Sequence, residues 1–226
     1  MRNRSIKVVH LIESLSQSNH GVIEAALATS TDLKNRHGID SEVWAPVLPG
    51  DPKPNLRTAA LFPIDPSRAR SAIEMAGDRN LNPTTTVVAS HGCWQWPTRT
   101  AATLRRAGFS WVYSPHGMLE PWSLGQKRLR KWIFWKMIEG RRAKLANVVR
   151  ATSTPEAKNL SQRFDQVEMI PHGVELPTDS NSAAAGGTDP VRVVFMGRLH
   201  PKKGVLPLAR AWLASELANL AGFELV

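Results

Sequence analysis

The stretch Thr85-Thr-Val-Val-Ala-Ser90 decides the predicted fold of this chain. Its β-branched and apolar residues form a short run that is typical of a strand buried inside a sheet. A helical pattern follows at residues 98–107, and a second apolar run follows at residues 111–114. A strand, a helix and a second strand in this order indicate a βαβ unit, in which the two strands lie parallel.

The same alternation continues on both sides of that unit. Toward the N-terminus the pattern predicts strands at residues 6–12, 41–45 and 59–62 and helices at residues 22–37 and 67–76. Toward the C-terminus it predicts a long helix at 126–146, a strand at 147–152, a helix at 155–164 and a strand at 167–170. We therefore predict an α/β fold, with a Rossmann-like parallel sheet and helices on both faces. Such sheets bind ligands beyond the carboxyl ends of their strands.

The composition changes at residues 179–190, where small and polar residues are typical of an interdomain linker. We predict a first domain at residues 1–177, a linker at 178–190 and, at 191–226, the first βαβ unit of a second, incomplete Rossmann-like domain. The apolar run at 191–196 predicts its first strand, residues 206–220 its helix and residues 223–226 the start of another strand. Arg198, Lys202 and Lys203 follow the first strand, and cations in that position suit an anionic ligand such as a diphosphate.

The sequence also argues against a disordered protein, a disulfide-bonded secreted protein and a protein with a membrane-spanning helix. The chain has 226 residues, of which 42% are hydrophobic, and this is enough for a packed core. The single cysteine, Cys93, cannot form an internal disulfide, which favours a reducing compartment. The sequence has no signal-peptide pattern and no run of about 20 apolar residues, so we expect a cytoplasmic protein.

Positive charge is concentrated in one segment of the chain. The formal net charge is +10, and residues 124–150 contain nine basic residues against one acid, Glu139. Four bulky apolar residues, 132–135, lie within this segment. In one interpretation the aromatic residues belong to the core and the cations cover the outer face of a helix. In the other, the helix from Lys127 to Arg142 docks at an anionic membrane surface, at the inner face of the membrane. The segment matches no nucleic-acid-binding module, so we expect no nucleic-acid partner.

Three of the predicted strand ends carry a His-Gly pair, at His91, His116 and His172. Glycine lets the backbone turn sharply near a ligand, and histidine supplies a donor or acceptor that titrates near neutral pH. The same loops contain Trp94 and Glu175, which we include among the candidate sugar-side residues. The alternative for each histidine is that it caps a loop or fills a polar gap. The spacing matches no metal site, and no Gly-x-Ser-x-Gly elbow indicates a hydrolase.

The first strand-end loop, residues 14–21, lacks the Gly-x-Gly-x-x-Gly fingerprint of dinucleotide-binding proteins. Its hydroxyl groups and Gly21 could still place backbone N–H groups near a phosphate or a sugar hydroxyl. The alternative is that Ser18 or Asn19 only caps the helix that follows.

Three phrases of the sequence together resemble the family 4 (group 1) glycosyltransferases of GT-B architecture. They are Ser114-Pro-His-Gly-Met-Leu-Glu-Pro-Trp122, Ile170-Pro-His-Gly-Val-Glu175 and Phe195-Met-Gly-Arg-Leu-His-Pro-Lys-Lys-Gly204, and Ala151-Thr-Ser-Thr-Pro-Glu156 supports them. The resemblance implies transfer of a sugar from a nucleotide-diphosphate sugar to a glycan or lipid-linked acceptor, with retention of configuration. It implies a donor held mostly by the C-terminal domain and an acceptor held mostly by the N-terminal domain, without a metal or other cofactor.

The resemblance also implies roles for individual residues. Arg198 and Lys203 match the cations that hold the donor diphosphate, and His116 matches a histidine near the transferred sugar, which makes it the candidate catalytic residue. Gly21 matches a glycine loop that faces the donor phosphates, although the usual paired glycines are absent here.

The sequence departs from the family pattern at its C-terminal end. Family members continue through several more βα units, which contain a Glu-x7-Glu element that binds the sugar and the ribose. We therefore expect the 226 residues alone to be weakly active or inactive. The alternative function is a non-catalytic module that binds the acceptor or docks at a membrane.

Overall fold

The computed structural model describes residues 6–51, 56, 58–67, 71–173, 191–197, 199, 201–220 and 222–226. The chain divides into two compact units, Met1–Glu175 and Leu176–Val226. The predicted linker at 178–190 lies outside the described residues.

Unit 1 is built on a parallel sheet of seven strands in the order β3-β2-β1-β4-β5-β6-β7. Every neighbouring pair is parallel. The strands are β1 (Lys7–Leu11), β2 (Asp40–Ala45), β3 (Ala60–Pro63), β4 (Thr86–His91), β5 (Ser110–Ser114), β6 (Val148–Ala151) and β7 (Val167–Met169). Strand β1 pairs with both β2 and β4, so the strand order reverses there, and sheets of this kind bind ligands at such a switch point. The predicted Rossmann-like α/β fold is confirmed.

Helices connect the strands. They are α1 (His20–His37), α2 (Ser71–Asp78), α3 (Trp96–Arg106), α4 (Pro121–Gly125), α5 (Arg128–Phe134), α6 (Gly140–Ala143) and α7 (Thr154–Leu160). Helix α1 ends at Gly38, whose φ of 65° is the left-handed conformation of a glycine C-cap. None of the helices in the described part of unit 1 or unit 2 is long and apolar enough to span a membrane.

The two faces of the sheet are packed differently. Trp44, Trp111 and Tyr113 are fully buried in the larger core, which includes side chains of α2, α3 and α7. A smaller core on the opposite face joins α1 to β2 through residues such as Leu27 and Val43. The smaller core stops near β1, and a cavity of about 840 Å³ lies beyond it over β1, β4, β5 and β6.

The predicted helix at 126–146 differs from the observed one. It begins at Arg128, because Lys127 has a left-handed backbone (φ 53°), and residues Trp135–Glu139 form a wider π turn before α6. The π turn rotates the chain so that Glu139 is fully buried, and Trp135 packs against the larger core. The core interpretation is therefore right for Trp135, whereas Trp132 and Ile133 are exposed.

Unit 2 contains one βαβ unit. Strands β8 (Val191–Val193) and β9 (Phe223–Leu225) pair in parallel, and helix α8 (Val205–Leu213) lies between them in sequence. The predicted helix at 206–220 is too long, because α8 ends at Leu213 and only a short 3-10 turn, Glu216–Asn219, follows. Gly204 precedes α8 with a φ of 73°, a conformation that favours glycine.

Candidate functional site

Four histidines from four different segments form a column in unit 1, which we call the histidine column: His10, His91, His116 and His172. Successive ring centroids are 5.2, 5.1 and 5.2 Å apart. His10 lies in β1, and His91 is the last residue of β4. His116 follows β5 and His172 follows β7, so the column leads from inside the sheet to its carboxyl edge.

Hydrogen bonds join the inner three rings. His10 Nδ1 lies 2.9 Å from His91 Nε2, and His91 Nδ1 lies 2.9 Å from His116 Nε2. The central ring, His91, is only 2% exposed and has both nitrogens engaged. His172 stacks on His116 with an angle of 13° between the rings.

The surroundings keep these imidazoles neutral. Burial, with a smaller contribution from the Arg150 cation, lowers the pKa of His10 from 6.5 to about 4. Burial, and then the neighbouring His172 and Arg150, lower the pKa of His116 from 6.5 to about 4. The pKa values of His91 and His172 are lowered as well, chiefly by burial. With a pKa of about 4, the His116 ring is neutral at neutral pH and acts through hydrogen bonds, since this pKa is too low for an efficient general base.

A buried carboxylate braces the loop that carries His116. His116 and Gly117 both have a left-handed backbone, with φ angles of 51° and 70°. Glu156 Oε1 accepts a hydrogen bond from the Gly117 backbone N–H at 2.6 Å. Glu156 Oε2 accepts bonds from the backbone N–H and the hydroxyl of Thr152, at 2.7 and 2.6 Å. A non-glycine residue is strained in this conformation, and the hydrogen bonds of Glu156 to Gly117 and Thr152 keep His116 in it.

Arg150 holds the backbone that precedes His172. This guanidinium lies on β6 and is largely buried, and it donates from Nε to the Ile170 carbonyl and from Nη2 to the Pro171 carbonyl, both at 2.8 Å. These bonds fix the chain as it leaves β7, and His172 is the next residue. Arg150 also lines the cavity on the α1 face of the sheet, together with His10, His91 and Ser114.

The structure brings together three of the predicted site residues, and Trp94 is not part of that group. His91, His116 and His172 share the column, in which the buried His91 ring lies between His10 and His116. Trp94 lies elsewhere: its ring packs against Phe134 and Trp135, and its backbone N–H donates to Glu139 Oε1 at 2.9 Å.

Gly21 lies in the first turn of α1, and a methyl group placed on it would meet no atom within 4 Å. Asn19 occupies the N-cap position of α1, but its side chain donates to the Ser14 carbonyl instead of capping the helix.

The donor-side candidates belong to unit 2. Lys203 ends a short 3-10 turn, Pro201–Lys203, directly before Gly204 and α8, and it is exposed. Arg198 and Glu175 lie outside the described residues. Within the described part of the chain, no group of three or more His, Cys, Asp or Glu side chains is placed to hold a metal ion.

Sequence reasoning missed His10, Arg150 and Glu156. A polar His10 inside the apolar run of β1 was a signal, because a buried imidazole needs a partner. Arg150 belongs to the basic segment, but it follows the apolar Val148 and Val149 within a predicted strand, and this position was the available signal for burial. For Glu156, the Ser153-x-x-Glu156 spacing of a capping box was the available signal, and Ser153 Oγ does accept from the Glu156 N–H at 3.4 Å.

A second surface feature lies on α5 and the π turn. Leu129, Trp132, Ile133 and Met137 form an exposed apolar stripe at helical spacing, and Leu129 is 70% exposed. The exposed cations Arg128, Arg130 and Lys136 flank the stripe, and the Lys136 ammonium lies 4.9 Å from the centre of the Trp132 ring. We call these seven residues the basic apolar stripe.

The model of Glycosyltransferase Family 4 matches residues 7–177 of the chain. No curated protein matches the sequence significantly. Similar solved structures include a Listeria monocytogenes protein assigned as a UDP-N-acetylglucosamine 2-epimerase (13% identity, TM-score 0.52, covering 98% of this chain and 61% of that one). A second is a glycosyltransferase from Rickettsia africae (11% identity, TM-score 0.52, covering 98% of this chain and 68% of that one). A third is a ugt transferase from Siraitia grosvenorii in complex with UDP (10% identity, TM-score 0.50, covering 88% of this chain and 60% of that one). At these identities the likeness concerns the fold, and the chain spans about three fifths of the length of the first of them.

Proposed function

Because the chain belongs to Glycosyltransferase Family 4, we propose that it takes part in the transfer of a sugar from a nucleotide-diphosphate sugar to a glycan or lipid-linked acceptor, with retention of configuration. Unit 1 would serve the acceptor and the transferred sugar, and unit 2 would serve the donor diphosphate. The activity is proposed for the complete protein.

The observation that carries this proposal is the position of His116. It lies at the carboxyl edge of a parallel sheet, where such folds bind their ligands, and Glu156 and His91 hold its backbone and its ring. A neutral imidazole held in this way can hydrogen-bond a sugar hydroxyl with little loss of entropy on binding. Its low pKa fits a role in binding and orientation, and it does not favour removal of a proton from the acceptor.

The reaction also requires that the negative charge on the leaving group be stabilised. The diphosphate gains negative charge as the sugar departs, and fixed cations lower the energy of that transition state. We assign this role to Lys203 and Arg198, without a metal ion. The structure of the Siraitia protein contains UDP, which supports a nucleotide diphosphate as the leaving group.

The test is transfer of a labelled sugar from a panel of nucleotide sugars to the glycans and lipid-linked glycans of a cell extract. It should use the native protein at the length it has in its own cells. We expect label transfer from at least one donor, reduced by about a hundredfold in His116→Ala and in Lys203→Ala. His37→Ala is the matched control, because His37 is an exposed histidine at the end of α1. Failure of the folded native protein to transfer any sugar would refute the proposal.

A second function is favoured by the basic apolar stripe. Exposed Leu129 and Trp132 (70% and 55%) could insert at the interface of a bilayer while the flanking cations contact anionic headgroups. We propose that this surface binds anionic membranes and brings unit 1 to a lipid-linked acceptor at the inner face of the membrane.

Sedimentation with vesicles tests this second proposal. We expect binding to phosphatidylglycerol-containing vesicles and little binding to phosphatidylcholine alone, with a decrease as salt is raised. Leu129→Ser should weaken the binding by about tenfold, since one buried leucine side chain is lost. Leu48→Ser is the control, because Leu48 is similarly exposed (59%) but lies in a loop after β2. Equal binding to neutral and anionic vesicles would exclude a role for the cations.

A further inference from the structure

We infer that His10 and His91 are positioning residues that fix His116 in one tautomer, with its proton on Nδ1, and so make it a hydrogen-bond donor to a ligand oxygen at the carboxyl edge. The identity of that oxygen as part of a sugar rests on the proposed function. The coupling of the three rings does not rest on it.

The coupling follows from the count of protons. A neutral imidazole has one N–H and one bare nitrogen, and in each hydrogen bond one nitrogen donates and the other accepts. His91 uses both nitrogens, so if its Nε2 accepts from His10, its Nδ1 must donate to His116. His116 Nε2 then accepts, and the proton of His116 is on Nδ1. The opposite direction along the column would place it on Nε2. The choice at His10 therefore determines the tautomer at His116, across two hydrogen bonds.

The surroundings of His10 select the direction. His10 Nε2 is buried and has no hydrogen-bond partner among the described residues. A buried N–H without a partner is rarer in proteins than an acceptor without one. His10 and the Arg150 guanidinium line the same cavity, and a positive charge nearby favours a bare ring nitrogen over an unpaired N–H. With Nε2 bare, His10 Nδ1 carries the proton and donates to His91.

At the outer end of these hydrogen bonds, one nitrogen of His116 is left for a ligand. His116 Nδ1 forms no hydrogen bond with any described residue, and its ring is held between His91 and His172. In the selected direction this nitrogen carries a proton that suits a hydroxyl, carbonyl or phosphate oxygen. In the other direction the same position would suit only a donor. The column thus determines whether the site recognises an acceptor or a donor.

Nitrogen-15 NMR of the histidine-labelled full chain tests the inference without any substrate. The nitrogen-15 shifts separate protonated from bare ring nitrogens, and single substitutions assign the seven histidines. At neutral pH we expect His116, His91 and His10 each to carry the proton on Nδ1. A His116 that carries its proton on Nε2, or that exchanges equally between the two tautomers, would overturn the inference.

Two variants at His10 test the coupling. His10→Phe removes the donor, so His116 should become a mixture of tautomers. His10→Asn should restore the Nδ1 form, because its NH2 group can replace the His10 N–H as the donor to His91. His37→Asn is the control and should leave His116 unchanged. An unchanged His116 spectrum in His10→Phe would contradict the coupling, and circular dichroism checks that each variant is folded.

Kinetics separate this inference from the proposed function. In the native protein, His10→Phe should lower kcat/KM for sugar transfer by about tenfold, as expected for one hydrogen bond, and His10→Asn should recover most of it. Coupled tautomers in a protein that transfers no sugar would refute only the proposed function. Transfer unaffected by His10→Phe, with a changed tautomer at His116, would refute the positioning role alone.

Discussion

Replacing Glu156 by glutamine tests how the His116 loop is held. The carboxylate accepts three short hydrogen bonds from Gly117 and Thr152 and is 3% exposed. A glutamine has one carbonyl oxygen, which can keep the two Thr152 bonds. Its NH2 group then faces the Gly117 N–H, so one bond to a charged acceptor is lost and a partly buried donor is left without a partner.

The expected cost is about 3 kcal/mol of unfolding free energy. Bonds to charged groups contribute about 1.5–3 kcal/mol each, and a buried unpaired donor costs about 1–3 kcal/mol, part of which the loop can relieve by moving. Such a movement also releases the left-handed backbone of His116, whose strain is of the order of 1 kcal/mol. We therefore expect a second effect, the loss of the His91–His116 hydrogen bond.

Urea denaturation measures the first effect, and the nitrogen-15 signals of His116 report the second. Glu120→Gln is the matched control, since Glu120 accepts one side-chain bond from the described residues, from Asn159 at 2.8 Å, and a glutamine oxygen can replace it. The control should change the unfolding free energy by less than about 0.5 kcal/mol. If Glu156→Gln were as stable as the control and the His116 signals were unchanged, Glu156 would not be holding the His116 loop in place.

Three further predictions concern packing and pH. Gly140→Ala should lower the unfolding free energy by about 1–3 kcal/mol in urea denaturation, because the new methyl would lie 2.8 Å from the Trp135 carbonyl oxygen. The control Gly77→Ala should be neutral or stabilising, because its methyl would meet no atom within 4 Å. His10 and His116 have pKa values of about 4 in the folded chain against an ordinary 6.5, so the unfolded chain takes up protons first. The contribution of these two histidines to the unfolding free energy should be constant above about pH 6.5 and fall by about 1.4 kcal/mol per pH unit for each of them between about 6.5 and 4. Stability that does not change between about pH 7 and about pH 5 would contradict this. Hydrogen bonds from Arg79, Trp44 and Lys7 outweigh burial and lower the pKa of Glu42 below 4.5, so its contribution is present above that pH and is lost on acidification through the folded pKa. Glu42→Gln should therefore cost about 1–3 kcal/mol at neutral pH and less below about pH 4, and an equal cost at both pH values would show that the charge has no role.

The strands of unit 1 could be predicted because their β-branched, apolar runs are bounded by turn residues. The predicted strand at 85–90 and the observed β4 differ by one residue at each end. The direction of side chains on the long basic helix could not be predicted. The π turn after Phe134 shifts the helical period, so Trp135 reaches the core while Trp132, three residues earlier, faces solvent.

The histidine column could be predicted only in part. The His-Gly pairs at strand ends identify His91, His116 and His172, because parallel strands end at one edge of the sheet. His10 joins them through strand register: it lies opposite Ala89, and His91 is two residues further on the same face of β4. Register depends on the pairing of distant segments, which one sequence does not contain. Arg150 and Glu156 depend in the same way on contacts between separate loops.

We propose that the carboxyl edge of the sheet at His116 receives the sugar of a nucleotide sugar. The most direct measurement is a titration of the histidine-labelled protein with nucleotide sugars, followed through the imidazole nitrogen-15 signals. We expect the signals of His116 and His172 to shift together on addition of the nucleotide sugar that the protein turns over, while the signals of His37 stay unchanged. Saturation with that nucleotide sugar without any change at His116 would contradict it.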